Sequence, residues 1–225
     1  SYDGLAGQDT FYANWSTATA DIVWTNTGAE VTHQGAKISN MERLLVQTGG
    51  GNDSIDNTKN NTHDDIRTGA GNDTISGGMG SDWIDAGSGN DVVNVLAVIS
   101  HGQVDTLAGG AGTDTLNLDF ASDDTSSYRG LTYQFTDAAG ASKVVLYNAS
   151  QEAIQTALGS AVSTVYASGY NSSATGIGGF TQAAVTGFEV INIKATNVAD
   201  LVIYQGGSSY DGLAGQDTFY ANWST

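Results

Sequence analysis

Cysteine is absent from the sequence, so neither a disulfide nor a thiolate metal site can staple the fold. A metal held by oxygen atoms is an alternative staple. Proline is absent too, and basic residues are scarce, 7 against 24 acidic ones, for a formal charge of −17. Such a chain repels nucleic acid and anionic membranes and favours counter-cations. No apolar run approaches the roughly 18 residues that span a membrane, so no membrane insertion is expected. Ser1–Ala20 has neither a basic start nor an apolar stretch, and no signal peptide is expected there. The three histidines, His33, His63 and His101, share no metal-motif spacing, and His63 and His101 are expected to be loop filler. No zincin, nucleophile-elbow or P-loop motif is present, and no enzyme activity is expected.

What the chain does hold is repetition. The 30 glycines lie among aspartates and asparagines, a composition of turns and oxygen-rich loops. An apolar content of 40% and the repeat order argue against disorder. Ser1–Thr17 reads SYDGLAGQDTFYANWST, and Ser209–Thr225 reads the same at all 17 positions, at an offset of 208. The expectation is one 208-residue unit plus the start of another, from a tandem array; an engineered overlap is the alternative.

A second repeat is nine residues long. Thr48–Asp56 (TGGGNDSID), Thr68–Ser76 (TGAGNDTIS), Gly77–Asp85 (GGMGSDWID), Ala86–Asn94 (AGSGNDVVN) and Gly109–Asn117 (GGAGTDTLN) fit G-G-x-G-x-D-x-U-x, where U is aliphatic. Thr68–Asn94 is contiguous and in phase. Lys59–Arg67 and Ser100–Ala108 are degenerate copies that keep Asp64 with Ile66 and Asp105 with Leu107.

This pattern resembles the RTX family, the hemolysin-type calcium-binding repeats. The strict resemblance covers Thr48–Asn117, about a third of the chain. Glycines at the second and fourth positions permit positive φ, so the backbone can curl with its carbonyls inward. Calcium takes 6–8 oxygens in flexible geometry; the curled carbonyls and the sixth-position Asp can supply them. Positions seven to nine read as a short strand, with Ile55, Ile75, Ile84, Val93 and Leu116 inward. The resemblance implies an all-β chain, mainly a right-handed parallel β-roll, with each of several Ca²⁺ ions between stacked loops. The implied ligands are Asp53, Asp73, Asp82, Asp91 and Asp114, with Asp64 and Asp105 from the degenerate copies. Carbonyls are implied from Gly49, Gly51, Gly69, Gly71, Gly78, Gly80, Gly87, Gly89, Gly110 and Gly112. Any one Asp could instead be a solvated turn residue, and at Asp64 and Asp105 that reading is equally consistent.

Outside the roll, residues 13–47 are expected as a short β-rich excursion and 118–194 as a long one. Strands are expected at Asp21–Trp24, Leu44–Gln47, Leu131–Phe135, Lys143–Tyr147, Val190–Lys194 and Leu201–Tyr204. The apolar stripe Ala153, Ile154, Ala157, Leu158, Ala161, Val162, Val165 and Tyr166 predicts one helix over Ser150–Tyr166. Ser39–Ile55 and Thr186–Val202 look related, with Glu42 and Glu189 each 11 residues before an Asp (Asp53, Asp200), which suggests a shared structural role. A weak roll is expected over 195–225 and its counterpart 1–12, making Asp211, Asp217, Asp3 and Asp9 further candidate ligands. Trp83 faces outward and is expected to pack under an excursion; an exposed contact site is the alternative.

The function expected is a calcium-folded structural repeat of a secreted bacterial adhesin, surface layer or filament, exported by type I secretion as the family implies. The partners expected are neighbouring copies of the same unit, with possible self-assembly. The alternatives are the calcium-dependent secretion tail of an enzyme and a sugar- or ice-binding module. Against ice binding, the outward positions vary: Ser54, Thr74, Trp83, Val92, Thr115.

Overall fold

The computed structural model describes residues 1–96, 104–121, 128–136, 142–145, 161–169, 178–195, 197, 200–203 and 207–220. The chain forms two compact units. The first comprises Ser1–Leu96, Asp105–Asn117 and Gly187–Glu189; the second comprises Ala97–Val104, Leu118–Thr186 and Val190–Thr225.

The first unit opens with β1 (Tyr2–Asp3), β2 (Thr10–Asn14), β3 (Val23–Thr25), β4 (Val31–His33), β5 (Ala36–Ser39) and β6 (Arg43–Gln47). It continues with β7 (Ser54–Asp56), β8 (Asp65–Arg67), β9 (Thr74–Ser76), β10 (Trp83–Ser88), β11 (Val92–Leu96), β12 (Val104–Ala111) and β13 (Thr115–Asp119). From β6 onward successive strands alternate between two sheets. One sheet runs β2, β6, β8, β10, β12 and the other β3, β7, β9, β11, β13. Within these two series β2–β6, β6–β8, β8–β10, β10–β12, β3–β7, β7–β9 and β9–β11 pair in parallel. This is the parallel β-roll that the nonapeptide implies: two copies make one turn.

Register shows how the degenerate copies are absorbed. Asp65 pairs with Trp83 and Thr74 with Val92, an 18-residue turn of two nonapeptides. Leu45 pairs with Asp65 and Ser54 with Thr74, a 20-residue turn. Trp83 pairs with Thr106, a 23-residue turn. The additional residues, Asn57 with Thr58 and the five at 95–99, fall between copies, so the strands stay in phase. Phase matters because a one-residue slip would turn each inward side chain to the opposite face. Leu44, Ile66, Ile84 and Leu107 line one sheet inside, and Ile55, Ile75, Val93 and Leu116 the other; all are buried. Each contributes roughly 1.5–3 kcal/mol by leaving water. β7, β8 and β9 each bury one aliphatic residue, whereas β6, β11 and β13 add Val46, Val95 and Leu118. At the β2 and β3 end, Phe11 packs edge-on to Trp24 at 5.6 Å, and His33 lies tilted by 38° against Trp24 at 5.3 Å. β4 and β5 form an antiparallel hairpin whose second strand pairs with β1.

The second unit holds β14 (Tyr128–Thr136), β15 (Ser142–Val145), β16 (Ala161–Gly169), β17 (Gly178–Thr186), β18 (Val190–Lys194), β19 (Leu201–Ile203), β20 (Tyr210–Asp211) and β21 (Thr218–Tyr220). β15, β14, β16 and β17 form an antiparallel series. β18 pairs with β20, and β19 with β21, both parallel. The helix expected over Ser150–Tyr166 is corrected here: Ala161–Gly169 is a strand, while residues 150–160 lie outside the described residues. Val162, Thr164 and Val165 are β-branched and lose rotamer freedom in a helix, and strand neighbours on both edges reward the extended form. Among the described residues no helix is long and apolar enough to cross a membrane.

Candidate metal centre

Each nonapeptide turns a loop onto the loop of the previous turn. The second- and fourth-position glycines of four copies take positive φ: Gly69 and Gly71, Gly78 and Gly80, Gly87 and Gly89, Gly110 and Gly112. Space as well as conformation requires them, since a Cβ on Gly89 would overlap the carbonyl oxygen of Gly71. Gly49 and Gly51 do not take positive φ; they pack against the backbone of Ala18 and Asp21.

The stacked loops bring the sixth-position aspartates into two columns. In the first, the Ile22 N–H donates to Asp53 Oδ1 at 2.8 Å, Asp53 N–H to Asp73 at 2.7 Å, Asp73 N–H to Asp91 at 2.8 Å, and Asp91 N–H to Asp114 at 2.9 Å. In the second, the Leu44 N–H donates to Asp64 Oδ1 at 2.8 Å, Asp64 N–H to Asp82 at 2.9 Å, and Asp82 N–H to Asp105 at 3.0 Å. All seven aspartates are buried, Asp114 completely.

One oxygen of each carboxylate is thus spent on the ladder. In the first column the other is stranded: Oδ2 of Asp53, Asp73, Asp91 and Asp114 is buried without a hydrogen-bond partner. A buried carboxylate oxygen without a partner is costly unless a cation meets it. Burial raises the pKa of five aspartates of the two columns. Asp91 rises to about 6, chiefly through burial, with Asp73 and Asp114 adding repulsion. Asp82 rises to about 8 through burial and the charges of Asp64 and Asp105, and Asp105 to about 7 through burial. Asp64 and Asp73 are also raised by burial. A hard cation would relieve both the burial and the repulsion. Among the described residues no three His, Asp or Glu converge on one point. The donor set that fits is therefore one or two Asp carboxylates with neutral carbonyls, which suits calcium. A loop carbonyl such as that of Gly49 already accepts one N–H, from Ala70, and a carbonyl has two lone pairs. The residues present fit calcium, with Asp53, Asp73, Asp91 and Asp114 as the strongest candidate holders.

Other sequence-predicted residues are placed differently. Asp64 Oδ2 accepts from Asn57 Nδ2 at 2.7 Å, so its second oxygen is occupied. Asp211 and Asp3 do not join a column; each accepts the N–H two residues on, from Leu213 and Leu5, at 3.1 Å. Asp217 accepts the N–H of buried Asp200 at 3.1 Å, and Asp9 has a buried, unpartnered Oδ2. Glu42 and Glu189 do share a role. Glu42 Oε2 accepts the Asp9 N–H at 2.9 Å, and Glu189 Oε2 the Asp114 N–H at 2.8 Å; each Glu N–H donates back to that Asp carbonyl. They are ladder rungs one methylene longer.

The fifth position proves structural as well. The N–H groups of Asn72, Asn90 and Thr113 donate to Oδ1 of Asn52, Asn72 and Asn90 at 2.8–2.9 Å. The recurring Asn-Asp dipeptide was the signal for this. In the other column His63 takes that place, its Nδ1 accepting from the Ser81 N–H at 2.8 Å; it is not loop filler. His101 lies outside the described residues. Trp83 is 51% exposed rather than covered, with Arg67 over its ring at 4.8 Å from the centroid. It sits on the outer face because strand alternation gives the inner face to Ile84.

No curated protein matches the chain. The family model of the RTX calcium-binding nonapeptide repeat matches in four copies, over residues 60–93 and 102–124, about a quarter of the chain. Both degenerate copies lie largely within the match. Residues 60–93 and 102–124 are therefore RTX calcium-binding nonapeptide repeats, and a region of such repeats binds several calcium ions.

Proposed function

We propose that the chain is a structural module that folds and stiffens on binding calcium outside the cell, one of a tandem series in an adhesin, surface layer or filament of a bacterium. The observation that carries this reading is the column of buried aspartates with unpartnered Oδ2 atoms. The unit depends on a cation to neutralise its own interior, and a cation bound only to the folded state stabilises it by mass action. The recurrence of Ser1–Thr17 at Ser209–Thr225 supports the tandem context. Low cytosolic calcium would keep such a chain unfolded for type I export, and extracellular calcium would fold it. Few carboxylates per site suit a Kd of about 10⁻⁴–10⁻³ M.

The test is circular dichroism of the 225-residue chain at neutral pH in chelator and then in millimolar calcium. Strand signal absent in chelator and restored by calcium is the expected result. A spectrum indifferent to chelation would overturn the reading.

A further inference from the structure

The 17-residue segment occurs at both ends of the chain, and residues 209–220 have the same local conformation as residues 1–12. Leu5 and Leu213 have φ of 63° and 57°, and Gly7 and Gly215 of 145° and 143°. Tyr2 meets Phe11 at 5.8 Å, and Tyr210 meets Phe219 at 6.1 Å, both edge-on. The neighbours differ. The first copy pairs with β5 and β6, the second with β18 and β19.

The two sets of neighbours use opposite edges of the segment. In an extended strand, successive residues turn their backbone groups to alternate sides. In the second copy the Thr218 N–H donates to the Asp200 carbonyl at 2.8 Å, and the Ser209 and Asp211 carbonyls accept from Ile193 and Ala195. In the first copy the Asp9 carbonyl accepts from Arg43, and the Gly4 N–H donates to Ser39. Thr218 corresponds to Thr10, and Asp9 precedes it, so the groups facing β19 and β6 alternate along the strand. Asp211 corresponds to Asp3, and Gly4 follows it, so the same holds for β18 and β5. The carboxylate ladder divides in the same way: Asp217 receives the Asp200 N–H on its side chain, and Asp9 gives its own N–H to Glu42.

We propose that in a chain where the 208-residue unit recurs, one copy of this segment serves both units at once. β19, the shared β21/β2 strand and the next unit's β6 then form one parallel sheet; β18, the shared β20/β1 strand and the next β5 form another. The partner is the next copy of the same unit, and the joint is a continuous roll with an unbroken ladder from Asp200 through the shared Asp to Glu42. The joint also buries a ring: Phe11 is 6% exposed among Tyr2, Trp15 and Trp24, whereas its counterpart Phe219 is 57% exposed. This inference rests on the tandem reading above.

The experiment compares the 225-residue chain with a chain of two 208-residue units closed by the same segment, both in saturating calcium. Hydrogen exchange at Asp217 and Phe219, whose counterparts face β6, should slow at least tenfold in the two-unit chain. Phe219→Ala should leave the melting midpoint of the 225-residue chain nearly unchanged and lower that of the two-unit chain by several degrees. Equal exchange and equal response in both chains would overturn the joint. Exchange needs no substitution, so the test survives a variant that fails to fold. Calcium-dependent folding of the 225-residue chain is read separately; its loss would sink the calcium reading and not the joint alone.

Discussion

The two carboxylate columns of the roll are built on one motif, yet they find different amounts of bonding within the chain. The column of Asp53, Asp73, Asp91 and Asp114 comes from glycine-rich copies, and every one of its Oδ2 atoms is stranded. The column of Asp64, Asp82 and Asp105 includes both degenerate copies. Where Lys59–Arg67 lacks glycine, side chains replace the curled backbone. Asn57 is wholly buried; it donates to Asp64 and to the Glu42 carbonyl and accepts from Asn26 and Asn60. Thr62 adds a hydroxyl bond to Asp64. An acidic column can thus be held by a cation or by neutral donors, and Asp64 takes the second course.

The largest expected effect comes from pH without calcium. The folded-state pKa values of Asp91, Asp105 and Asp82, about 6, 7 and 8, lie above the ordinary 3.8. A raised pKa means that the folded chain binds more protons than the unfolded one. The stability so gained is complete below about 3.8 and is lost as pH rises through about 6 to 8. In chelator, circular dichroism should therefore show a folded roll near pH 4 that unfolds toward pH 8. Since Asp82 and Asp105 share a column, protection there should fall over a higher pH range than at Asp91. Calcium competes with these protons, so its affinity should rise across the same window. A metal-free fold that strengthens with pH would contradict the burial argument.

Next in size is the contrast between Asp91→Ala and Asp64→Ala, measured by calcium titration and thermal melting. Asp91→Ala strands the Asp73 N–H, a loss of about 1–3 kcal/mol, and removes a candidate calcium oxygen. Affinity should fall at least tenfold, a further ~1.4 kcal/mol per factor of ten. Asp64→Ala strands the Leu44 N–H at similar structural cost but should leave calcium affinity within about twofold, because Asn57 already fills that carboxylate. Equal losses of affinity would erase the distinction between the columns. Asn57→Ala should sharpen it from the other side, destabilising the chain by about 1–3 kcal/mol in calcium and in chelator at low pH alike.

How much of this was legible in the sequence depends on whether the periodicity carried it. The nine-residue phase placed Ile55, Ile75, Ile84, Val93 and Leu116 inside, and positive φ falls at the expected glycines of four copies. The shared spacing of Glu42 and Glu189 foretold matching roles, though not that both would extend a ladder. Side-chain bonds between turns were hidden, because their partners are 18 to 23 residues apart and a pattern treats each as an unspecified position. The stripe around Val162 was misleading for a different reason. Small and β-branched residues such as Ala161, Val162 and Val165 fit both periods, and strand partners distant in sequence decided between them.

The smallest effect concerns the fifth position, where one column carries Asn52, Asn72 and Asn90 and the other carries His63 and Ser81. Asn52, Asn72 and Asn90 accept the N–H of the next turn through an amide oxygen, and His63 does so through Nδ1 at 2.8 Å. Asn and His both offer an acceptor at a similar reach, so His63→Asn should preserve the bond from Ser81. The change in stability should lie within about 0.5 kcal/mol. His63→Ala removes the acceptor and should cost about 0.5–1.5 kcal/mol, the net value of one hydrogen bond. Thermal melting of the two variants in saturating calcium separates them. If Asn and Ala behaved alike, the histidine bond would be incidental, and the second column would hold its loops through Asn57, Thr62 and the aspartates alone.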